Sequence, residues 1–107
     1  MKSILIVDDN STILLLLSEL IKISIRELSN IPVEIYTASS AEEAIAIACA
    51  QGIDLLITDF YLPGVTGLGL IRTVKSKSDN IVAVLMSSDH DPLPPCSRIH
   101  IMQSTHY

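Results

Sequence analysis

The chain has 107 residues, which is enough for one domain and too few for two. Apolar residues make up 49% and charged residues 18%, a composition that excludes a disordered chain. A net charge of −5 disfavours direct nucleic-acid binding, because phosphates attract a basic surface. The longest apolar run, 44–50, is far shorter than the ~20 residues of a membrane span, and the N-terminus does not resemble a signal peptide. Two cysteines, Cys49 and Cys96, are expected to be free thiols in the cytoplasm.

Strand-like and helical patterns alternate along the chain. The apolar runs predict strands over 4–9, 33–38, 53–60 and 81–86, and the helical patterns predict helices over about 11–28, 41–52 and 67–77. The turn at Pro63-Gly64 separates the third strand from the third helix. This alternation predicts βαβ units, and therefore an α/β fold with a parallel sheet and helices on both faces.

The sequence also predicts which side chains of the first two helices are exposed and which are buried. Ser18, Lys22, Arg26 and Ser29 recur about one turn apart, which predicts a polar stripe on the first helix. Cys49 is expected on the inner face of the second helix, as a small core residue.

The pattern changes after Ser88. Three prolines at 92, 94 and 95 exclude a helix there, and only 99–101 shows an alternation typical of a strand. The connection of about ten residues is short for a parallel crossover, so the support for a fifth strand is weak. We therefore predict a domain over 1–89 and a divergent tail over 90–107, interpreted as a truncated, out-of-frame or rebuilt end.

Acidic residues follow two of the predicted strands. Asp8 and Asp9 end the first, Asp59 lies near the end of the third, and Ser87 ends the fourth. Ligands of open parallel sheets bind beyond the carboxyl ends of the strands, so we expect these side chains to meet at one edge. Like charges in close proximity need either raised pKa values or a cation, and carboxylate oxygens suit Mg²⁺. The sequence therefore predicts a magnesium pocket.

Three segments carry a resemblance to a known family. The segments 4–10 (ILIVDDN), 59–67 (DFYLPGVTG) and 84–88 (VLMSS) resemble, in order and spacing, the receiver domain of two-component response regulators. The resemblance covers residues 1–89 and implies a flavodoxin-like, doubly wound sheet with strand order 2-1-3-4, to which the family adds a fifth strand and helix.

The resemblance also implies a role for each matching residue. Asp59 resembles the phosphoacceptor and Ser87 the hydroxyl that contacts the phosphoryl group. Asp9 resembles a direct Mg²⁺ ligand, Asp8 an acid that acts largely through water, and the backbone carbonyl of Tyr61 a further ligand. Asp59 completes this predicted metal site, in which Mg²⁺ is the implied cofactor.

The function implied is that of a cytoplasmic phosphorelay receiver and not of an enzyme beyond self-phosphorylation and autodephosphorylation. Its donor would be a phosphohistidine on a sensor histidine kinase or a phosphotransfer protein. The acidic loop at Asp8-Asp9 disfavours a flavin carrier, because it would repel a flavin phosphate. The absence of an Asp-x-Asp motif there disfavours a haloacid-dehalogenase-like phosphatase.

The sequence departs from the family in its last part. Receivers carry a late lysine that pairs with the phosphoryl group, and this chain has none after Lys77. An alternative function is therefore that of a degenerate pseudo-receiver, a phosphate-independent interaction module. The last helix of the family also has no counterpart, so apolar residues of the first helix (13–17, Leu20 and Ile21) are expected to lie bare. Such a surface predicts a homodimer, a swapped dimer or poor solubility.

Overall fold

The computed structural model describes residues 2–28, 31–77 and 80–86, together with the backbone of 99–102. The strands are β1 (Lys2–Val7), β2 (Val33–Ala38), β3 (Leu55–Asp59), β4 (Tyr61–Leu62), β5 (Val65–Thr66), β6 (Val82–Met86) and β7 (Ile99–Met102). The helices are α1 (Ser11–Leu28), α2 (Ala41–Ala50) and α3 (Gly67–Lys77). In the part of the chain described here, no helix is long and apolar enough to cross a membrane.

The main sheet has the order β2-β1-β3-β6-β7. The first four of these strands are parallel, and β1 pairs with both β2 and β3 at its centre. This arrangement confirms the flavodoxin-like α/β fold and the order 2-1-3-4 predicted for the four main strands. The short β4–β5 hairpin, closed by Pro63-Gly64 with a Gly64 φ of 83°, is a feature that the sequence patterns did not predict beyond its turn.

The fifth strand of the sheet runs in the unexpected direction. β7 pairs antiparallel with β6, with Ile99 opposite Met86 and Met102 opposite Ala83. An antiparallel neighbour needs no crossover helix, so the short proline-containing connection does not prevent pairing. Other predictions for the tail, including Cys96 and the missing last helix, concern 87–98 and 103–107, which lie outside the described residues.

Two apolar clusters lie on opposite faces of the sheet. Every second residue of the strands points to α2 and α3, where Leu5, Leu56 and Ala83 are fully buried. The alternate residues point to α1, whose Leu14 packs with Ile4 and Ile6. The α2–α3 face is the more completely covered, since Leu55, Ile57, Val82, Val84 and Met86 on the α1 face are all only half-buried.

Three predictions of side-chain placement were wrong. Of the α1 residues expected to lie bare, Leu14 is buried and Leu17 and Ile21 are half-buried, because they pack toward the sheet. Ser18, assigned to the polar stripe of α1, is buried, because it lies one turn after Leu14 on the side that packs toward the sheet. Lys22 and Arg26 are exposed as predicted. Cys49 is exposed, because the inner side of α2 is formed by other residues, including Ala41 and Ala44.

The predicted helix starts are confirmed. The Asn10 side chain accepts hydrogen bonds from the backbone N–H groups of Thr12 and Ile13, at 2.9 and 3.3 Å. The Ser40 hydroxyl accepts one from the backbone N–H of Glu43, at 3.2 Å. Each cap satisfies amides that the first helical turn leaves unpaired, and each fixes a helix directly after a strand.

Candidate metal centre

The centre lies at the carboxyl edge of the sheet, where β1 and β3 end side by side. Val7 is opposite Thr58 in the parallel register, so Asp8 and Asp9 emerge next to Asp59. One carboxylate oxygen from each of these three residues lies within 4.8 Å of the others. The structure thus brings together three of the predicted site residues, although Asp59 lies fifty positions after Asp9 in the sequence.

Asp8 is the most enclosed of the three, with 7% of its surface exposed. Burial raises the pKa of its carboxyl group above the ordinary value of 3.8, and the charges of Asp59 and Asp9 raise it further. A hydrogen bond from the backbone N–H of Asn10 to Asp8 Oδ1, at 2.9 Å, acts in the opposite direction. The net effect is a carboxyl group that loses its proton less readily than a free aspartate.

Asp59 is half-buried and shows the same behaviour. Burial is the main cause of its raised pKa, and the charge of Asp9 adds to it. The backbone amides of Tyr61 and Phe60 lower the pKa and so offset part of the increase. Asp9 is exposed, which leaves one side of the cluster open to a ligand from solvent.

The donor set fits a hard divalent cation. All three groups are carboxylates, and no cysteine or histidine belongs to the cluster that the described residues form. Oxygen donors of this kind suit Mg²⁺, which binds through a few carboxylates and retains several waters. A cation would also offset the repulsion between the carboxylates, which adds to the effect of burial on the two pKa values.

Two other predicted site residues are less well placed by the structure. Tyr61 begins β4, directly after the Asp59–Phe60 corner, and pairs with Thr66 across the hairpin. The role of its carbonyl as a metal ligand stays a prediction. Ser87 lies outside the described residues, although β6 ends at Met86 beside Asp59.

Gly67 supports the site through its backbone. The sequence predicts only that a glycine at this position leaves room for the third helix. Its backbone N–H donates to the Phe60 carbonyl at 2.6 Å. A Cβ at this position would overlap the backbone carbonyl oxygen of Asp59 and contact Leu85 Cδ1. The start of α3 therefore approaches Asp59 as closely as only a glycine permits, which fixes the corner that carries the Asp59 carboxylate.

Comparison with known proteins places this geometry in a family. The family model for the response regulator receiver domain matches residues 4–99. The chain belongs to the response regulator receiver family. Receiver domains are signalling domains of two-component systems, and they bind Mg²⁺ at an acidic pocket.

Curated relatives of this receiver are longer than the chain. A putative two-component response regulator of Arabidopsis thaliana, ARR19, is 32% identical over 90 residues, which span 82% of this chain and 20% of the relative. The two-component response regulator ORR6 of Oryza sativa is 29% identical over 83% of this chain and 51% of its own length. The receiver thus spans at most about half the length of these two proteins.

Solved structures show the same fold. A receiver domain from Clostridium thermocellum superposes with a TM-score of 0.71 at 29% identity, covering 85% of this chain and 68% of that chain. The response regulator TrrA of Thermotoga maritima, solved with Mg²⁺ and a beryllium fluoride group, is 33% identical with a TM-score of 0.64. That match covers 84% of this receiver and 73% of TrrA.

The close approach at Gly67 gives a first prediction. Gly67→Ala is expected to lower the free energy of unfolding by about 1–3 kcal/mol, because its methyl group must displace the Asp59 carbonyl. Gly69→Ala, in the same helix but with only ordinary contact to Thr66, is expected to be neutral or to stabilise by about 0.5–1 kcal/mol. Urea unfolding followed by circular dichroism measures both, and equal effects of the two variants would contradict the prediction.

The raised pKa values give a second prediction. Because the Asp8 and Asp59 carboxyl groups have higher pKa values folded than unfolded, the folded protein binds more protons above pH 3.8. Their contribution to stability therefore falls as pH rises through the folded pKa values. In the presence of a chelator, Asp59→Asn should raise the melting temperature at pH 7. The melting temperature of this variant should also decline less steeply as pH rises. A lower melting temperature than wild type at pH 7 would be the opposite result.

Proposed function

We propose that this receiver accepts a phosphoryl group on Asp59 from a phosphohistidine of a sensor histidine kinase or a phosphotransfer protein. The observation that carries the proposal is the meeting of three carboxylates at one sheet edge, within 4.8 Å. The same proposal includes a cytoplasmic location. It also includes that the domain is not an enzyme that turns over other substrates. Self-phosphorylation and autodephosphorylation are the reactions we assign to the domain itself.

Asp59 is the residue best suited to be the nucleophile. Its carboxylate is half-buried beside the exposed Asp9, and Gly67 packs closely against its backbone carbonyl. A carboxylate oxygen attacks phosphorus, the new O–P bond forms an acyl phosphate, and the P–N bond to the donor imidazole breaks. The imidazole leaves with the bond electrons and takes a proton from solvent.

The other two carboxylates are assigned to the metal. Asp9, exposed at the rim, is the proposed direct ligand, and the more buried Asp8 acts largely through water. When bound, Mg²⁺ supplies positive charge that offsets the negative phosphoryl oxygens. TrrA, which is 33% identical and was solved with Mg²⁺ and beryllium fluoride, supports a role for Mg²⁺ in this receiver. Asp59 and the Tyr61 carbonyl complete the proposed metal ligands, and the Ser87 hydroxyl is proposed to contact the phosphoryl group.

A second candidate function is that of a degenerate pseudo-receiver. A pseudo-receiver would retain the fold and the acidic pocket but act by protein contacts that do not depend on phosphate. Phosphorylation of Asp59 distinguishes the two functions directly.

The phosphorylation test uses a small phosphodonor. Incubation with Mg²⁺ and acetyl phosphate should add the mass of one phosphoryl group to the intact protein, and Asp59→Asn should abolish the gain. Asp54→Asn is the matched control, since it makes the same charge change at the exposed opposite end of β3. A wild-type mass that does not change, or a gain retained in Asp59→Asn, would favour the pseudo-receiver.

Magnesium binding is measured separately. At a Mg²⁺ concentration 100-fold above its Kd, the free energy of unfolding should rise by about 2.7 kcal/mol. For a domain near this size, each kcal/mol of added stability raises the melting temperature by roughly 4–8 °C. Asp9→Asn should remove the increase, whereas Asp54→Asn should retain it. An equal Mg²⁺ response in wild type and Asp9→Asn would place the ion elsewhere.

A further inference from the structure

Thr58 is a buried polar residue of β3 to which the proposed function gives no role. It is the most completely buried of the polar residues that the structure describes, with 0% of its surface exposed. Its neighbours in the parallel registers are Val7 of β1 and Leu85 of β6, which are both buried and apolar. A hydroxyl group costs free energy in such surroundings unless it forms a hydrogen bond. A valine of nearly the same shape would fill the position without that cost.

The Thr58 hydroxyl is bonded to the backbone of Asp59. Its Oγ1 donates a hydrogen bond to the Asp59 carbonyl oxygen, at 3.0 Å. The same carbonyl oxygen lies so close to Gly67 that a Cβ there would overlap it. The hydroxyl and the start of α3 therefore both constrain one backbone atom of the residue that carries the proposed nucleophile.

This carbonyl belongs to the peptide group between Asp59 and Phe60, which is planar and moves as one unit. The N–H at the other end of the unit donates to the Met86 carbonyl of β6, at 2.7 Å. The same Phe60 N–H also interacts with the Asp59 carboxyl group. The Thr58 hydroxyl thus holds one end of the peptide group, while β6 holds the other. A rotation of this group would displace a donor that the Asp59 carboxylate uses.

We propose that Thr58 is a positioning residue for phosphoryl transfer, whose hydroxyl holds the Asp59–Phe60 peptide group and so keeps the Asp59 carboxylate directed at the phosphoryl donor. This inference rests on the proposed function of Asp59 as the phosphoacceptor. The attacking and leaving atoms of phosphoryl transfer lie roughly in line, and the protein contributes mainly by positioning and charge. A displacement of about 1 Å can lower a rate by about 100-fold. A single hydrogen bond to the backbone of the nucleophile is therefore expected to affect the rate measurably.

The test compares variants of Thr58 in the intact chain. Phosphorylation by acetyl phosphate at saturating Mg²⁺ is followed as the initial rate of mass gain. Thr58→Val replaces the hydroxyl by a methyl group and should lower the initial rate by roughly 10- to 100-fold. Thr58→Ser keeps the hydroxyl and should retain most of the wild-type rate. Thr58→Ala differs from Thr58→Ser only by the hydroxyl, so this second pair should show the same loss.

A role in packing alone predicts the opposite order of the first two variants. Thr58→Ser removes a buried methyl group and leaves a cavity, whereas Thr58→Val keeps the shape of the side chain. Circular dichroism at the assay temperature shows whether each variant is folded. Thr37→Val is the matched control, since it makes the same chemical change at an exposed position of β2, and it should leave the rate unchanged.

Two results would overturn the positioning role and leave the phosphoacceptor function intact. The first is a wild-type rate in folded Thr58→Val, and the second is an equal loss of rate in Thr58→Ser and Thr58→Ala. A wild-type chain that gains no mass would instead overturn the phosphoacceptor function of Asp59, and the positioning role with it. Failure of the two proposals is therefore distinguishable in one experiment.

Discussion

The parallel pairing of β1 with β3 is the constraint on which the rest of the site depends. This register places the carboxyl ends of the two strands side by side. Asp8 and Asp9, which follow β1, therefore lie next to Asp59, the last residue of β3. The buried residues of both strands, such as Leu5 and Leu56, fix that register because a slip of one residue would turn them outward. Core packing therefore holds the three carboxylates together against their mutual repulsion.

That repulsion has a functional meaning. Burial and neighbouring charge raise the pKa of Asp8 and Asp59, so full ionisation of the three carboxyl groups without a cation is electrostatically unfavourable. A bound cation would offset this unfavourable free energy. Packing of the apolar core keeps the domain folded despite it. Gly67 adds a second constraint, because α3 can start at the Asp59 carbonyl only if no side chain intervenes. The site is thus built by packing interactions that do not themselves bind the ligand.

The two faces of the sheet differ in the same respect. α2 and α3 cover one face so completely that its central residues are fully buried, whereas α1 leaves the opposite face half-covered. Apolar side chains that have no partner within the described part of the chain gain free energy from association. The acidic edge and the half-covered apolar face are therefore separate surfaces of the domain.

The sequence by itself determined the alternation of strands and helices, because the apolar runs that end in Asp8-Asp9 and Asp59 and the capping residues Asn10 and Ser40 are local signals. It also indicated the acidic pocket, since parallel strands share a carboxyl edge. Only the tertiary structure decided the direction of β7, which depends on a long-range pairing, and the burial of Ser18, which depends on how α1 seats on the sheet. The same holds for Gly67, whose importance comes from contacts with the Asp59 carbonyl and Leu85. Local patterns specify elements, whereas orientation and close contact arise from packing between residues distant in the chain.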